Sequence, residues 1–285
     1  MRRAYAPRPP ATSGGLTGFA GHANLGQRQA PVQLQRNSFK QALAASRLQI
    51  GLWCSLTSNI AAEIVADSGF DWLLLDSEHA PNEIPGLLSQ LQAVMRGPAA
   101  PVVRVAWNDL VMIKRALDIG AQSLLVPLVD NAEQAQRAVR ATRYPPGGNR
   151  GVAGSTRAAG YGRIPGYLKT ANEEICVIVQ AETRGALDHI EEIAKVDGVD
   201  GVVIGPNDLA ASLGHTGDTQ HPEVQKAIEN AGRRLRAAGK AAGILAFPEE
   251  EARRYIAWGY SFVAVGGDMA LLANGADALA KKYKA

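Results

Sequence analysis

Short apolar runs alternate with longer amphipathic stretches along the chain, and the alternation repeats about eight times without the closely spaced turn signals of an all-β fold. The runs at 49–54, 70–75, 101–105, 123–126, 175–179, 201–204, 241–245 and 261–265 are continuous rather than alternating. Continuous runs are the pattern of parallel strands covered on both faces. Helical periodicity is clearest at 83–95, 109–117, 132–142, 222–237 and 248–257. A doubly wound open sheet shares this alternation. Strand count and length favour a single-domain (β/α)8 TIM barrel.

Residues 1–36 break the pattern. They are rich in Pro, Gly, Gln, Ala and Arg, lack apolar periodicity, and read as a disordered tail or an over-long gene start. Pro7, Pro9 and Pro10 oppose the amphipathic helix of an organelle transit peptide. Taking 36 from 285 leaves 249 residues at 37–285, close to the roughly 250 of one barrel. The formal charge of +3 belongs to the tail, where Arg2, Arg3, Arg8, Arg28 and Arg36 stand without an acid. Subtracting those five leaves −2 on the domain, so the composition points to no nucleic-acid partner. No stretch approaches the roughly 20 apolar residues that cross a bilayer, so no membrane partner and a cytoplasmic location are expected. Cys54 and Cys176 are far apart, form no C-x-x-C, and read as buried thiols of a reducing compartment.

In a barrel the chemistry lies where strands finish. Just past the expected ends stand Asp76, Glu78 and His79; Arg104; Gln180 and Glu182; Gly205, Pro206 and Asp208; and Gly266, Gly267 and Asp268. Each has a plainer use: Asp76 and Asp208 as helix N-caps, Glu182 as a partner of Arg184, Arg104 as a barrel cation paired with an acid, His79 as a surface polar group. Their convergence on one mouth argues for a site. Glu182 and Asp208, from adjacent strands, can hold a hard divalent cation, Mg²⁺ or Mn²⁺, with room for water and a bidentate substrate. Arg104 offers a fork to a carboxylate or an enolate, and His79 a base near neutrality. Together they suit enolate chemistry on a 2-oxo acid. No lysine stands at a strand end to form a Schiff base. Gly266-Gly267 could mark a phosphate site or a plain turn. The long connection 143–165, with few apolar residues, is expected to cover the active site.

The stretches FDWLLLDSEHAPN (70–82), PVVRV (101–105), IKRALDIGAQSLLVPLVD (113–130), RYPPGGNRG (143–151), VQAE (179–182), GVVIGPNDLAASLG (201–214) and FVAVGGD (262–268) are collinear. In them the chain resembles the metal-dependent class II pyruvate aldolases of the HpcH/HpaI family. The resemblance implies a (β/α)8 barrel, usually a homohexamer with exchanged helices, that makes or breaks a C–C bond between pyruvate and an aldehyde. It implies that Glu182 and Asp208 bind Mg²⁺, Mn²⁺ or Co²⁺, with Gln180 against the metal and Gly205 and Pro206 on the substrate side. It implies that Arg104 steadies the enolate and that His79 is the base, with Asp118 and Asp76 as its acidic partners. Spacing alone does not single out Asp118, which reads as a helical salt-bridge residue.

Two departures stand out. Ser77 occupies a position where many members have Gly, so a shifted backbone is expected there. The segment VAGSTRAAGYGR after RYPPGGNRG differs from relatives and is expected to border the aldehyde. The expected substrate is a 4-hydroxy-2-oxo acid, 4-hydroxy-2-oxoheptanedioate, giving pyruvate and succinic semialdehyde. A 2-dehydro-3-deoxyglucarate or other sugar-acid aldolase, a phosphoenolpyruvate or acyl-CoA lyase, and a non-catalytic barrel whose basic tail recruits a partner are the alternatives.

Overall fold

The computed structural model describes residues 32–284. Eight parallel strands, β1 (Gln49–Cys54), β2 (Trp72–Asp76), β3 (Ala100–Arg104), β4 (Ser123–Val126), β5 (Cys176–Ala181), β6 (Gly201–Ile204), β7 (Ala241–Leu245) and β8 (Phe262–Gly267), close into a barrel in chain order. The helices are α1 (Ser38–Ala44), α2 (Asn59–Ala66), α3 (Ile84–Val94), α4 (Leu110–Asp118), α5 (Ala132–Thr142), α6 (Tyr167–Glu174), α7 (Arg184–Asp188), α8 (Ile190–Lys195), α9 (Pro206–Ser212), α10 (Pro222–Ala237), α11 (Glu249–Ala257) and α12 (Asp268–Lys284). Four strands have the expected bounds. β2, β5 and β8 run further than their apolar runs, to Asp76, Ala181 and Gly267. The backbone ladder continues where apolar side chains give way to the polar residues of the mouth.

Two apolar layers hold the barrel. Outside, strand residues such as Leu73, Leu75, Val103, Leu124, Val177 and Val263 pack against the helices. Inside, Trp53, Trp72, Leu74, Val102, Leu125, Ile178, Val203 and Phe262 fill the lumen. The inner aromatics need glycine opposite them: a Cβ on Gly243 would lie 2.1 Å from the Phe262 ring. Phe39 and Leu43 of α1 complete this inner cluster. Phe39 lies 5.5 Å from Trp72 and meets Phe262 edge-on at 5.9 Å, within the range of favourable aromatic pairs. Asn37 caps α1 by accepting Lys40 N–H (2.9 Å) and donates to Ser123 Oγ (2.9 Å) and Glu174 O (3.0 Å). It thereby ties α1 to the start of β4.

Two expectations change. The connection 143–165 does not cover the mouth. It leaves the C-terminus of α5 and leads through α6 to the start of β5, and such helix-to-strand connections lie at the N-terminal end of a barrel. There Arg157 donates to Ile119 O (2.6 Å), and the segment borders a cleft of about 320 Å³ with Met95, Gly120 and Gln122. The segment VAGSTRAAGYGR therefore lies away from the mouth in its own chain. The folded unit also begins before residue 37: Leu34 packs on the Tyr144, Ala159 and Tyr167 cluster, and Gln122 donates to Gln35 O (2.8 Å). Two or three apolar residues are too few to show a period. The rest of the expected tail, 1–31, lies outside the described residues.

If α1 belongs to the barrel core, Phe39→Ala lowers stability by about 3–5 kcal/mol, the usual cost of emptying a buried aromatic site. The urea midpoint measures it, and a change under about 1 kcal/mol would place α1 outside the cooperative core.

Candidate active site

Asp76 and Arg104 are the last residues of β2 and β3 and face each other in register. Arg104 donates through Nε to Asp76 Oδ1 (2.8 Å) and through Nη2 to Oδ2 (2.7 Å), a bidentate fork buried at 5% and 1% exposure. Its guanidinium lies over the Trp53 ring, 4.8 Å from the centroid, and Trp53 Nε1 donates to Asp76 Oδ2 (3.4 Å). Burial alone would raise the Asp76 carboxyl, but the hydrogen bonds and charge of Arg104 hold it below the usual carboxylate range. The paired-cation reading of Arg104 is thus present in the structure. Its remaining nitrogen, Nη1, lies 2.7 Å from Glu78 Oε2, close but off the hydrogen-bond axis.

Glu182 follows β5. Its Oε1 accepts Leu128 N–H (3.0 Å), and its Oε2 accepts the Gln180 amide. Leu128 reaches it from the left-handed region, at φ +52°, a conformation uncommon for a residue with a side chain. Gly205 ends the approach from β6. Its φ is ordinary, but a Cβ there would sit 2.4 Å from Glu182 Oε2, so clearance and not torsion requires glycine. Pro206 opens α9, and Asp208 stands exposed in its first turn without capping a backbone N–H. The N-cap alternative therefore fails for Asp208.

These carboxylates sense one another. Burial pushes Glu182 up to about 7 against the hydrogen bonds from Gln180 and Leu128, with Asp208 and Glu78 adding to the rise. Burial likewise pushes Glu78 up to about 7 against the pull of Arg104, with Asp76 and Asp208 adding to it. The buried Gln180 Oε1 has no hydrogen-bond partner. A crowded set of carboxylates with an orphaned amide oxygen fits a hard divalent cation, which offsets like charge and takes oxygen donors.

His79 is on the loop after β2, its side chain 66% exposed and its Nε2 3.8 Å from Glu78 Oε1. It stands at the rim of the mouth. Asn82 donates to Asp76 O (3.0 Å) and exchanges hydrogen bonds with Gln90, fixing this loop from behind. Ser77 donates through its hydroxyl to Arg104 O (2.6 Å), and its φ is not positive. The departure from Gly therefore adds a cross-strand tie.

Asp118 is not part of this group. It ends α4, which runs back from the mouth, and its Oδ1 accepts from the fully buried Arg150 Nη2 (2.9 Å). Within one chain it cannot partner His79. Asp76 does not touch His79 either; its oxygens are taken by Arg104, Trp53 and Glu78 N–H (3.0 Å). Gly266 and Gly267 are not a turn: they are the last residues of β8. Asp268, directly after them, accepts Ser55 N–H (2.9 Å) and Leu56 N–H (3.1 Å) and ties this end to the segment after β1. Sequence reasoning gave no role to Glu78, although its position two residues after Asp76 was a usable signal. It missed Trp53, hidden in an apolar run, and the Leu128 amide, for which no side-chain signal exists.

The family profile described as HpcH/HpaI aldolase/citrate lyase matches residues 49–275. A 4-hydroxy-2-oxo-heptane-1,7-dioate aldolase of Klebsiella pneumoniae is 58% identical over 248 residues, 87% of this chain and 94% of the relative. The protein of that name from Salmonella heidelberg is 56% identical over 251 residues, 88% of this chain and 95% of the relative. The crystal structure of a HpcH/HpaI aldolase/citrate lyase family protein from Burkholderia cenocepacia superposes with a TM-score of 0.85 at 42% identity, covering 87% of this chain and all of that one.

The raised carboxyls set a pH dependence. A folded-state value above the ordinary one adds stability that is complete at low pH and is lost as pH rises through the folded value. Without a divalent cation, the melting temperature falls as pH rises from about 5 to about 8, because Glu78 and Glu182 must ionise near 7. Asp76 acts in the opposite sense and is already ionised there. Mg²⁺ therefore raises the melting temperature more at pH 8 than at pH 5, and Glu182→Gln flattens the difference. A cation effect independent of pH would contradict this reading.

Proposed function

Because the chain belongs to the HpcH/HpaI aldolase/citrate lyase family, we propose that it is a divalent-cation-dependent lyase cleaving 4-hydroxy-2-oxoheptane-1,7-dioate. Breaking the C3–C4 bond gives pyruvate and succinic semialdehyde. The observation that carries this reading is the joint placement of an Arg-centred cationic corner and a cluster of carboxylates in one mouth. Glu182 and Asp208 would hold the cation, Mg²⁺ or Mn²⁺, with Gln180 beside it. When bound, that ion supplies Lewis-acid polarisation of the 2-oxo group.

The chain's own groups account for the rest. Retro-aldol cleavage needs a base for the C4 hydroxyl and a sink for the electrons released from the C3–C4 bond. His79, at the rim and open to water, takes the hydroxyl proton, and C3 of the enolate takes one back from His79 or the water beside it to give pyruvate. Arg104 supplies fixed positive charge beside the oxygen where the enolate develops, through the nitrogen that is not committed to Asp76. Asp76 orients Arg104 by accepting from both arms of its fork. Among all the lysines none reaches the mouth; Lys240 and Lys40 bond to Val199 O and Ile175 O at the opposite end. The Schiff-base route therefore has no nucleophile.

The same reading makes the chain a homo-oligomer, a hexamer by its family. Asp268 is the one residue of α12 that is buried, while Met269, Leu271, Leu272, Leu279 and Tyr283 are 50–83% exposed. An apolar face of this length is the kind that a second copy covers. Among the described residues no helix is long and apolar enough to cross a membrane, and we place the enzyme in the cytoplasm.

Arg104→Ala would strand Asp76 as an unpaired buried charge, so Arg104→Lys is the sharper test. It keeps the charge and loses the fork. Pyruvate release from 4-hydroxy-2-oxoheptane-1,7-dioate falls about 10²- to 10³-fold, while Mg²⁺ binding stays within a few-fold of wild type. Near-normal turnover would remove Arg104 from the reaction.

A further inference from the structure

At the corner between α9 and α10, apart from the residues placed in the mouth, His215, His221 and Glu223 bring one ligand atom each to within 4.8 Å of one another. We propose that this corner is a second cation site, suited to a borderline transition metal of the Zn²⁺ type.

The donors are arranged before any ion arrives. His215 Nε2 lies 2.9 Å from Glu223 Oε2, a spacing that a proton bridges now and that one cation can bridge in its place. The two imidazoles stack with centroids 3.5 Å apart and planes 16° from parallel. Glu223 is oriented from behind: its Oε1 accepts from Arg184 Nη2 (3.0 Å), leaving Oε2 toward the histidines. Ligand carboxylates are commonly steered by such outer partners. His221 Nδ1 accepts only a long N–H bond, 3.3 Å, from Glu223 as the N-cap of α10, and this weak cap is what a cation replaces. The backbone is set by His215 N–H on Ala210 O (2.7 Å) and Asp218 N–H on His215 O (2.9 Å).

Chemistry separates this corner from the mouth. Two imidazoles and one carboxylate, with an open fourth position, are a donor set for Zn²⁺. The oxygen donors around Glu182 suit Mg²⁺ or Mn²⁺. Arg184 connects the two, since it holds Glu223 and stands two residues after Glu182. A cation at the corner therefore fastens the turn at His215 to the start of α10, beside the Arg184–Glu223 pair.

The test counts Zn²⁺ per chain by equilibrium dialysis and elemental analysis on the full-length protein. The proteins compared are wild type, His215→Ala/His221→Ala and Glu182→Gln. The double variant binds one Zn²⁺ fewer than wild type, and Glu182→Gln retains the histidine-dependent ion. Zn²⁺ also raises the melting temperature of Glu182→Gln, and His215→Ala/His221→Ala made in that background abolishes the rise. Equal Zn²⁺ content in wild type and the double variant would overturn the proposal. So would a wild type whose entire Zn²⁺ content is lost on Glu182→Gln. Circular dichroism and unchanged pyruvate release establish that the double variant is folded, because both histidines are half-buried and neither is among the residues of the mouth.

Discussion

The fork between Asp76 and Arg104 fixes the electrostatics of the mouth. A buried ion pair returns its desolvation cost only with good geometry, and breaking one by removing a partner typically costs about 3–5 kcal/mol. Here the geometry comes from register: the two residues are neighbours on adjacent parallel strands, so the barrel ladder itself sets their separation. Trp53 closes one face of the guanidinium and donates to the same carboxylate. The result is a cation that cannot swing away, and the acids around it titrate according to how far hydrogen bonds and opposite charge offset their burial. Asp76, held by both arms, stays ionised; Glu78 and Glu182, less well compensated, are pushed toward neutrality. That imbalance is what a divalent ion corrects.

The barrel separates tasks between its two ends. The C-terminal end gathers charge, and Gly205 keeps the space beside Glu182 open. The N-terminal end is closed by α1, with Phe39 among the inner aromatics, and bears the connection 143–165. Stability and chemistry are therefore carried by different residues, which lets polar groups crowd the mouth without loosening the core.

Much of this was legible in the sequence. Continuous apolar runs gave eight strands because each must be buried on both faces, and the polar residues just beyond them marked the mouth. The runs stop too early, just before Asp76, Gln180 and Gly266, because hydrophobicity stops where the site begins, while backbone pairing does not. The misplacement of 143–165 has a plain cause: it follows a helix and precedes a strand, which in a barrel means the N-terminal end, and polarity and loop length do not weigh that order. Asp118, at the end of α4, makes the salt bridge that its helical position suggests. The Leu128 amide and the stack of Trp53 under Arg104 depend on three-dimensional placement that no pattern of residue types encodes. The aldolase family resemblance narrows the enolate chemistry that the mouth residues themselves suggest to a C–C cleavage, and it also nominates Asp118, which the topology of a single chain keeps away from His79.

The central claim is that this mouth stabilises the enolate of pyruvate, and it can be tested without knowing the aldehyde. The measurement is exchange of the pyruvate methyl protons in D₂O, followed by NMR with Mg²⁺ or Mn²⁺, with EDTA, and with His79→Ala. The account predicts exchange that requires the cation and is strongly slowed in His79→Ala. Absence of exchange with either metal, in protein shown to be folded, would contradict it.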